Sequence, residues 1–333
     1  MKIQQPIDNV LFIYSAQPLI DRGWDTVDVK SFLQTIGFKT HDIFIYNEDD
    51  GMKQLSNHKD NVLVWPVCYT IGAEFNNRLL IDLLHELNIP YISPSVHALK
   101  FNSKLMLKQG LSNNSLIKTP CYQVINSQNI DRVEFSTPYL MKCEYSCNSE
   151  GVVTVNNQKN AKQVWNQLIN QFKQVVFAEE YERVREFTVS YIPGDPEPII
   201  APIEVTINSD SLIIDSLIKN NNKLLSFSLP DISSRNYLID YVNKLANHLS
   251  IDSHFRVDIL KNNDGIYHVI DLNLLPQMHF SDNCVSYFPI SLKINFGFNR
   301  EDILSRILMA VKHKFKLCFT DNIETTINTI LRK

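Results

Sequence analysis

Residues 268–282 read "HVIDLNLLPQMHFSD". The first half is apolar and β-branched, the composition of a buried strand. Asp271 and Asn273 then interrupt it, one residue apart. Alternate residues of a strand point to one face, so a carboxylate and a carboxamide lie side by side on an element that otherwise reads as core. The run just upstream, "HFRVDILKNNDGIY" (254–267), ends in a turn signal, "NNDG". Together they predict a hairpin over 254–273. Asp258 on its first strand and Asp271 and Asn273 on its second can converge on one face. Three oxygen ligands without Cys or His suit a hard cation, Mg²⁺ or Mn²⁺. Magnesium commonly completes its shell from substrate phosphates, so a set this sparse points to a bound nucleotide. Arg256, two residues before Asp258, shares its face and suits a phosphate or a developing oxyanion. The plainer alternatives are a solvated acidic hairpin end and a salt bridge from Arg256 to one of the acids.

Working outward, the 333 residues are 44% hydrophobic with a net charge of −4, enough for two or three compact units. The mildly acidic balance and the lack of a long basic stretch argue against nucleic acid as the main partner. No run reaches the ~18 apolar residues of a membrane span. "VLFIY" (10–14) reads as a first buried strand and not as part of a signal peptide. The cysteines, Cys68, Cys121, Cys143, Cys147, Cys284 and Cys318, form no C-x-x-C pair. Free thiols of a reducing cytoplasm are the expectation.

The first hundred residues alternate strand and helix: strands at 10–14, 41–46, 61–67 and 89–94, helices at 24–37 and 76–88. That alternation predicts a parallel α/β sheet, and no G-x-G-x-x-G follows the first strand. Beyond it, 95–110 reads as one helix, followed by strands at 138–146, 152–155, 174–181, 185–194 and 197–207. Helices are expected at 161–172, 233–250 and 301–315, with a polar loop at 208–223. Lys142 ends an apolar strand, and the polar stretch after it carries Asn148, Ser149 and Gly151, residues able to fold over phosphates and equally able to make an ordinary turn. Glu179 and Glu180 end the strand "VVFAEEY"; the backbone there can hydrogen-bond an adenine, and Glu186 can take ribose hydroxyls. The alternative is a solvated charge run.

Taken in order, these segments resemble the ATP-grasp superfamily and, within it, the D-alanine–D-alanine ligase family, over nearly the whole chain. "FNSKLMLK" is similar to the family's helix lysine motif, and "PYLMKCEYSCNSEGV" to its second nucleotide lysine with the phosphate-covering loop. "VVFAEEYERVREFTV" resembles the adenine hinge and ribose glutamate; "FRVDIL" and "IDLNLLPQM" resemble the Arg-x-Asp and Glu-x-Asn metal signatures. The resemblance implies an α/β ATP-grasp fold. An N-terminal parallel domain (1–98) would precede a central (99–184) and a C-terminal (185–333) ATP-grasp subdomain clasping ATP. It implies that Asp258, Asp271 and Asn273 hold magnesium. Lys104, Lys142, Ser149 and Gly151 would contact phosphates, and Glu179, Glu180, Tyr181 and Glu186 would hold adenosine. Lys219 would meet the γ-phosphate from the loop. Arg256 and Lys219 would be catalytic.

The implied activity is an ADP-forming carboxylate–amine ligase working through an acyl phosphate, cytoplasmic and a possible homodimer, with small acid and amine substrates. The amino-acid half departs from the family. Asn148 and Asn220 stand at the positions of the family's loop serine and tyrosine, and Glu74 is what remains of its first-domain motif. Gln277 replaces a glycine, and Asp282, beside Ser281, stands where a serine would bind the acceptor's carboxylate. Asp271 is one methylene shorter than the usual glutamate. An acceptor other than D-alanine follows as the expectation. A divergent true D-alanine–D-alanine ligase and a non-catalytic nucleotide-binding protein are the competing readings.

Overall fold

The computed structural model describes residues 6–15, 26–58, 61–71, 78–145, 151–181, 185–207, 224–280 and 286–332. Its first unit is parallel. Strand β1 (Asn9–Ser15) pairs on one side with β2 (Lys39–Ile45) and on the other with β3 (Val62–Pro66). Helices α1 (Val27–Thr35) and α2 (Glu48–Ser56) flank it; the Asn47 side chain caps α2 by accepting from the Asp50 N–H. The expected strand at 89–94 is only a single parallel bridge, Tyr91 to Val64. The expected helix at 76–88 begins later. Thr70–Ile71 (β4) and Arg78–Leu79 (β5) pair first, and α3 covers Leu80–Glu86.

The expected helix over 95–110 is broken. It is a short helix, α4 (Val96–Leu99), a 3₁₀ turn (Lys100–Asn102), and then α5 (Lys104–Leu111). Ser103 makes the break: its extended backbone (ψ 124°) ends the turn, and its hydroxyl caps α5 by accepting from the Met106 N–H. A serine competes with helical hydrogen bonding and prefers such a cap.

Two antiparallel sheets follow. The four-stranded one runs in the order β6–β9–β7–β8, from Tyr122–Ile125 (β6), Tyr139–Cys143 (β7), Val152–Val155 (β8) and Val176–Glu180 (β9). Helix α6 (Ala161–Phe172) packs Leu168 into its core with Met141 and Val176. The five-stranded sheet runs β12–β11–β10–β13–β14. Its strands are β10 (Arg185–Ile192), β11 (Ile199–Ile207), β12 (Leu225–Ser228), β13 (Phe255–Lys261) and β14 (Tyr267–Asn273). Helix α7 (Ile232–His248) buries Leu238, Val242 and Leu245 against one face, with Phe187, Val189, Phe255, Val257 and Ile259 in the same core. The chain then forms α8 (Tyr287–Phe296), α9 (Arg300–Phe315) and α10 (Asp321–Leu331), so the helix expected at 301–315 is followed by another. Ile323 and Ile327 of α10 share a core with Phe12 and Leu63 of the parallel sheet, which ties the C-terminal end to the first unit.

Candidate active site

The hairpin β13–β14 turns at Asn262–Gly265. The Gly265 N–H donates to the Asn262 carbonyl at 3.0 Å, and Gly265 takes φ +81°, a conformation that suits glycine. Near the turn the strands pair Ile259 with Val269, both core residues. Continued without interruption, that register would set Asp271 opposite Val257, on the core face. It does not continue. A β-bulge between Asp258 and Ile259 leaves Ile270 unpaired and sets Asp258 opposite Asp271 and Arg256 opposite Asn273. One extra residue thus turns Asp271 and Asn273 away from the core and onto the face of Arg256 and Asp258. The register with β10 places Glu186 opposite Leu260 and Thr188 opposite Asp258, so both belong to that face.

The side chains converge as this register requires. Arg256 donates from Nε and Nη2 to the two oxygens of Asp258, at 3.1 and 3.0 Å. Thr188 Oγ1 donates to Asp258 Oδ1 at 2.6 Å. Burial alone would lower the pKa of Arg256. The charges of Asp258 and Asp271 outweigh it and hold the guanidinium firmly protonated, over the ring of Tyr287 at 5.1 Å. Lys104 reaches across from α5 to Asp271, Nζ to Oδ1 at 3.0 Å. The Asn273 Nδ2 is buried with no hydrogen-bond partner among the described residues. Among those residues no cluster of three or more His, Cys, Asp and Glu is gathered. The candidate set is two carboxylates and one carboxamide, all oxygen donors, and that chemistry fits magnesium or manganese and not a soft metal.

The second half of the site lies on the four-stranded sheet. Lys142 on β7 forms a short ion pair with Glu179 Oε1 on β9. Lys108, which the sequence reading did not single out, holds Glu179 Oε2 at 2.6 Å and also donates to Thr119 Oγ1 at 2.8 Å. Its signal was present: it follows Lys104 by four residues on α5, hence on the same helix face. Burial alone would raise the Glu179 carboxyl; Lys108 and Lys142 overcome that and hold it below the usual carboxylate range. For Lys108, burial dominates and lowers the ammonium. Two lysines and one glutamate leave this cluster one positive charge in excess. A buried surplus of that kind favours an anion nearby.

Glu180 is exposed, and Tyr181 and Glu186 are half-buried at the ends of β9 and β10. Gly151 takes φ +72°, and its carbonyl accepts from the Cys143 N–H at 2.9 Å, which gives it a structural task in the β7–β8 hairpin. Gln277 lines a small cavity with Trp65, His254 and Met278. Asn148, Ser149, Lys219, Asn220, Ser281 and Asp282, and also Glu74, lie outside the described residues. Cys68, Cys121, Cys143 and Cys318 are free thiols.

The family model described as the D-Ala D-Ala ligase C-terminus matches residues 115–309, which contain both halves of this site except Lys104 and Lys108. The chain belongs to the D-Ala–D-Ala ligase family. Similar members include a D-alanine–D-alanine ligase of Petrotoga mobilis, 27% identical over 180 residues; the match covers 53% of this chain and 54% of that relative, about half its length. A D-alanine–D-alanine ligase of Pseudomonas entomophila is 22% identical over 69% of this chain and 71% of its own.

Solved structures of D-Ala–D-Ala ligase relatives share the fold. The ATP-complexed D-alanine–D-alanine ligase of Bacillus anthracis superposes with a TM-score of 0.70 at 17% identity, covering 94% of this chain and 99% of that one. The VanG D-Ala:D-Ser ligase of Enterococcus faecalis gives 0.68 at 15% identity, over 93% and 100%. The ATP-grasp architecture is therefore that of the family. Among the described residues no helix is long and apolar enough to cross a membrane.

Proposed function

We propose that the protein is an ATP-dependent carboxylate–amine ligase, forming an amide with release of ADP and phosphate, whose acceptor is not D-alanine. The observation that carries the activity is the bulged hairpin, which brings Arg256, Asp258, Asp271 and Asn273 onto one face. Relatives named as D-alanine–D-alanine ligases and a neighbour solved with ATP support the same class.

In this reading Asp258, Asp271 and Asn273 hold magnesium, whose chemistry there is to neutralise the phosphate oxygens of ATP. The chain's own residues do the rest. Lys142 and Lys104 bind phosphate oxygens. Glu180, Tyr181 and Glu186 hold the nucleoside. The γ-phosphoryl passes to a substrate carboxylate, which gives an acyl phosphate and ADP. The amine then attacks the acyl carbon, phosphate leaves, and the amine proton goes to solvent or phosphate. Arg256, held by Asp258 over the ring of Tyr287, stabilises the oxyanion that develops on that carbon. Positioning and charge supply most of the rate. The acceptor assignment rests on Asp282, a carboxylate at the position where the family's serine meets the carboxylate of D-alanine; like charges there discriminate against that acceptor.

The test is ADP release from Mg–ATP, screened over amino acids, amino-acid pairs and small hydroxy or polycarboxylic acids, with Asp258→Asn as control. Turnover on a pair without D-alanine, lost in the variant, is the expected result. Turnover on D-alanine alone at rates normal for a cell-wall enzyme overturns the acceptor assignment. Nucleotide binding without turnover on any acid overturns the ligase.

A further inference from the structure

Lys104 stands where the two antiparallel sheets meet. Its backbone N–H donates to the Glu144 carbonyl, one residue beyond β7, at 3.2 Å. Its side chain crosses to Asp271 on β14 at 3.0 Å, and the residue is only 6% exposed. Asp258 and Asp271 face each other in register. Two like charges directly opposite are unfavourable, and two cations relieve them: Arg256, paired to Asp258 and attracted also by Asp271, and Lys104, paired to Asp271.

The two cations are not equally bound. Arg256 grips both oxygens of Asp258 and lies over an aromatic ring. Lys104 reaches Asp271 Oδ1 through a flexible four-carbon stem, and that acid's side chain is 28% exposed. A divalent ion arriving at the same carboxylates repels both, and Lys104 is the one able to leave. Triphosphate oxygens give its ammonium a new partner.

We infer that Lys104 is a resident counter-cation of Asp271, exchanged on loading: the ammonium passes to the nucleotide phosphates as the metal takes the carboxylate. The inference rests on the nucleotide reading of the site above and adds a coupling to it. Metal and nucleotide each remove the other's obstacle, so each tightens the other by the same factor.

The test is calorimetry on the full chain with Mn²⁺ alone, with a non-hydrolysable ATP analogue in EDTA, and with both. Lys104→Met, or Lys104→Gln if the first fails to fold, is expected to tighten nucleotide-free Mn²⁺ binding by roughly two- to fivefold, the range of a partly exposed ion pair. Asp271→Asn is expected to tighten metal-free analogue binding. It does so more in the wild-type background than in the Lys104 variant, because only the former has a lysine to release. Unchanged or weakened Mn²⁺ binding in the lysine variants, or equal gains from Asp271→Asn in both backgrounds, overturns the exchange. If the wild type binds no analogue even with Mn²⁺, the nucleotide reading itself fails and the exchange with it. Analogue binding by the wild type beside unresponsive variants overturns the exchange alone.

Discussion

Lys108 and Glu179 form an ion pair at 2.6 Å with side chains 2% and 1% exposed, sealed from water under the four-stranded sheet. The pair joins α5 to β9, and through the other oxygen of Glu179 it orients Lys142. Removing the shared carboxylate strands both buried lysines. Glu179→Gln is therefore expected to cost ~3 kcal/mol. Adding Lys108→Met, which removes one of the two stranded cations, is expected to recover part of that loss. Urea denaturation of the two variants measures it; a single variant as stable as the wild type contradicts the account.

His254 gives the stability a pH dependence of known sign. Burial, reinforced by the charge of Lys314, pushes its imidazole down to about 3. Unfolding returns it to about 6.5. Between those values the unfolded chain binds the extra proton, so this contribution is complete above about pH 6.5 and declines as the pH falls toward 3. The slope is about 1.4 kcal/mol per pH unit, which makes roughly 2 kcal/mol by pH 5. Denaturation midpoints from pH 7 to 5 should fall less steeply for His254→Phe than for the wild type. Parallel slopes would show that His254 takes no part.

Gly151 is constrained twice. Its φ is +72°, and a Cβ there would lie 3.1 Å from Cys143 Sγ and 3.2 Å from Cys143 Cβ. Gly151→Ala is expected to cost about 1–3 kcal/mol from strain at this hairpin. Thermal unfolding reads the loss, and an unshifted midpoint refutes it.

Asp282 offers a gain-of-function test of the proposed acceptor. Asp282→Ser restores the hydroxyl that the family resemblance places there. D-alanine-dependent ADP release is expected to rise on the order of 10- to 100-fold. No rise, in a variant that still turns over its own acceptor, moves specificity to other residues.

The motifs of the site are legible in the chain because charged and amide side chains stand out against apolar strands. Arg256, Asp258, Asp271 and Asn273 group together on sequence alone, and the structure sets them on one face. What strict alternation does not reveal is the bulge at Ile270. Counting by twos puts Asp271 beside Val269, a residue with no exposure at all. Lys108 does not stand out in the sequence, because a lysine on an amphipathic helix ordinarily faces water, and only the tertiary fold shows that this one does not. The single helix expected over 95–110 failed at Ser103, where a local cap outweighs the apolar periodicity on either side. The helix at Asp321–Leu331 went unread although its apolar positions, Ile323 and Ile327, follow helical spacing.

Lys104 and Lys108 sit one turn apart on α5, and each meets an acid from a different sheet. An α-helix advances about 100° per residue. One residue inserted or lost between them would swing one ammonium away from its carboxylate, whatever the new residue was. Leu105, Met106 and Leu107 can therefore drift among apolar types over evolutionary time, while the spacing they fill cannot change length. Homologues should show substitutions in this segment and no gaps.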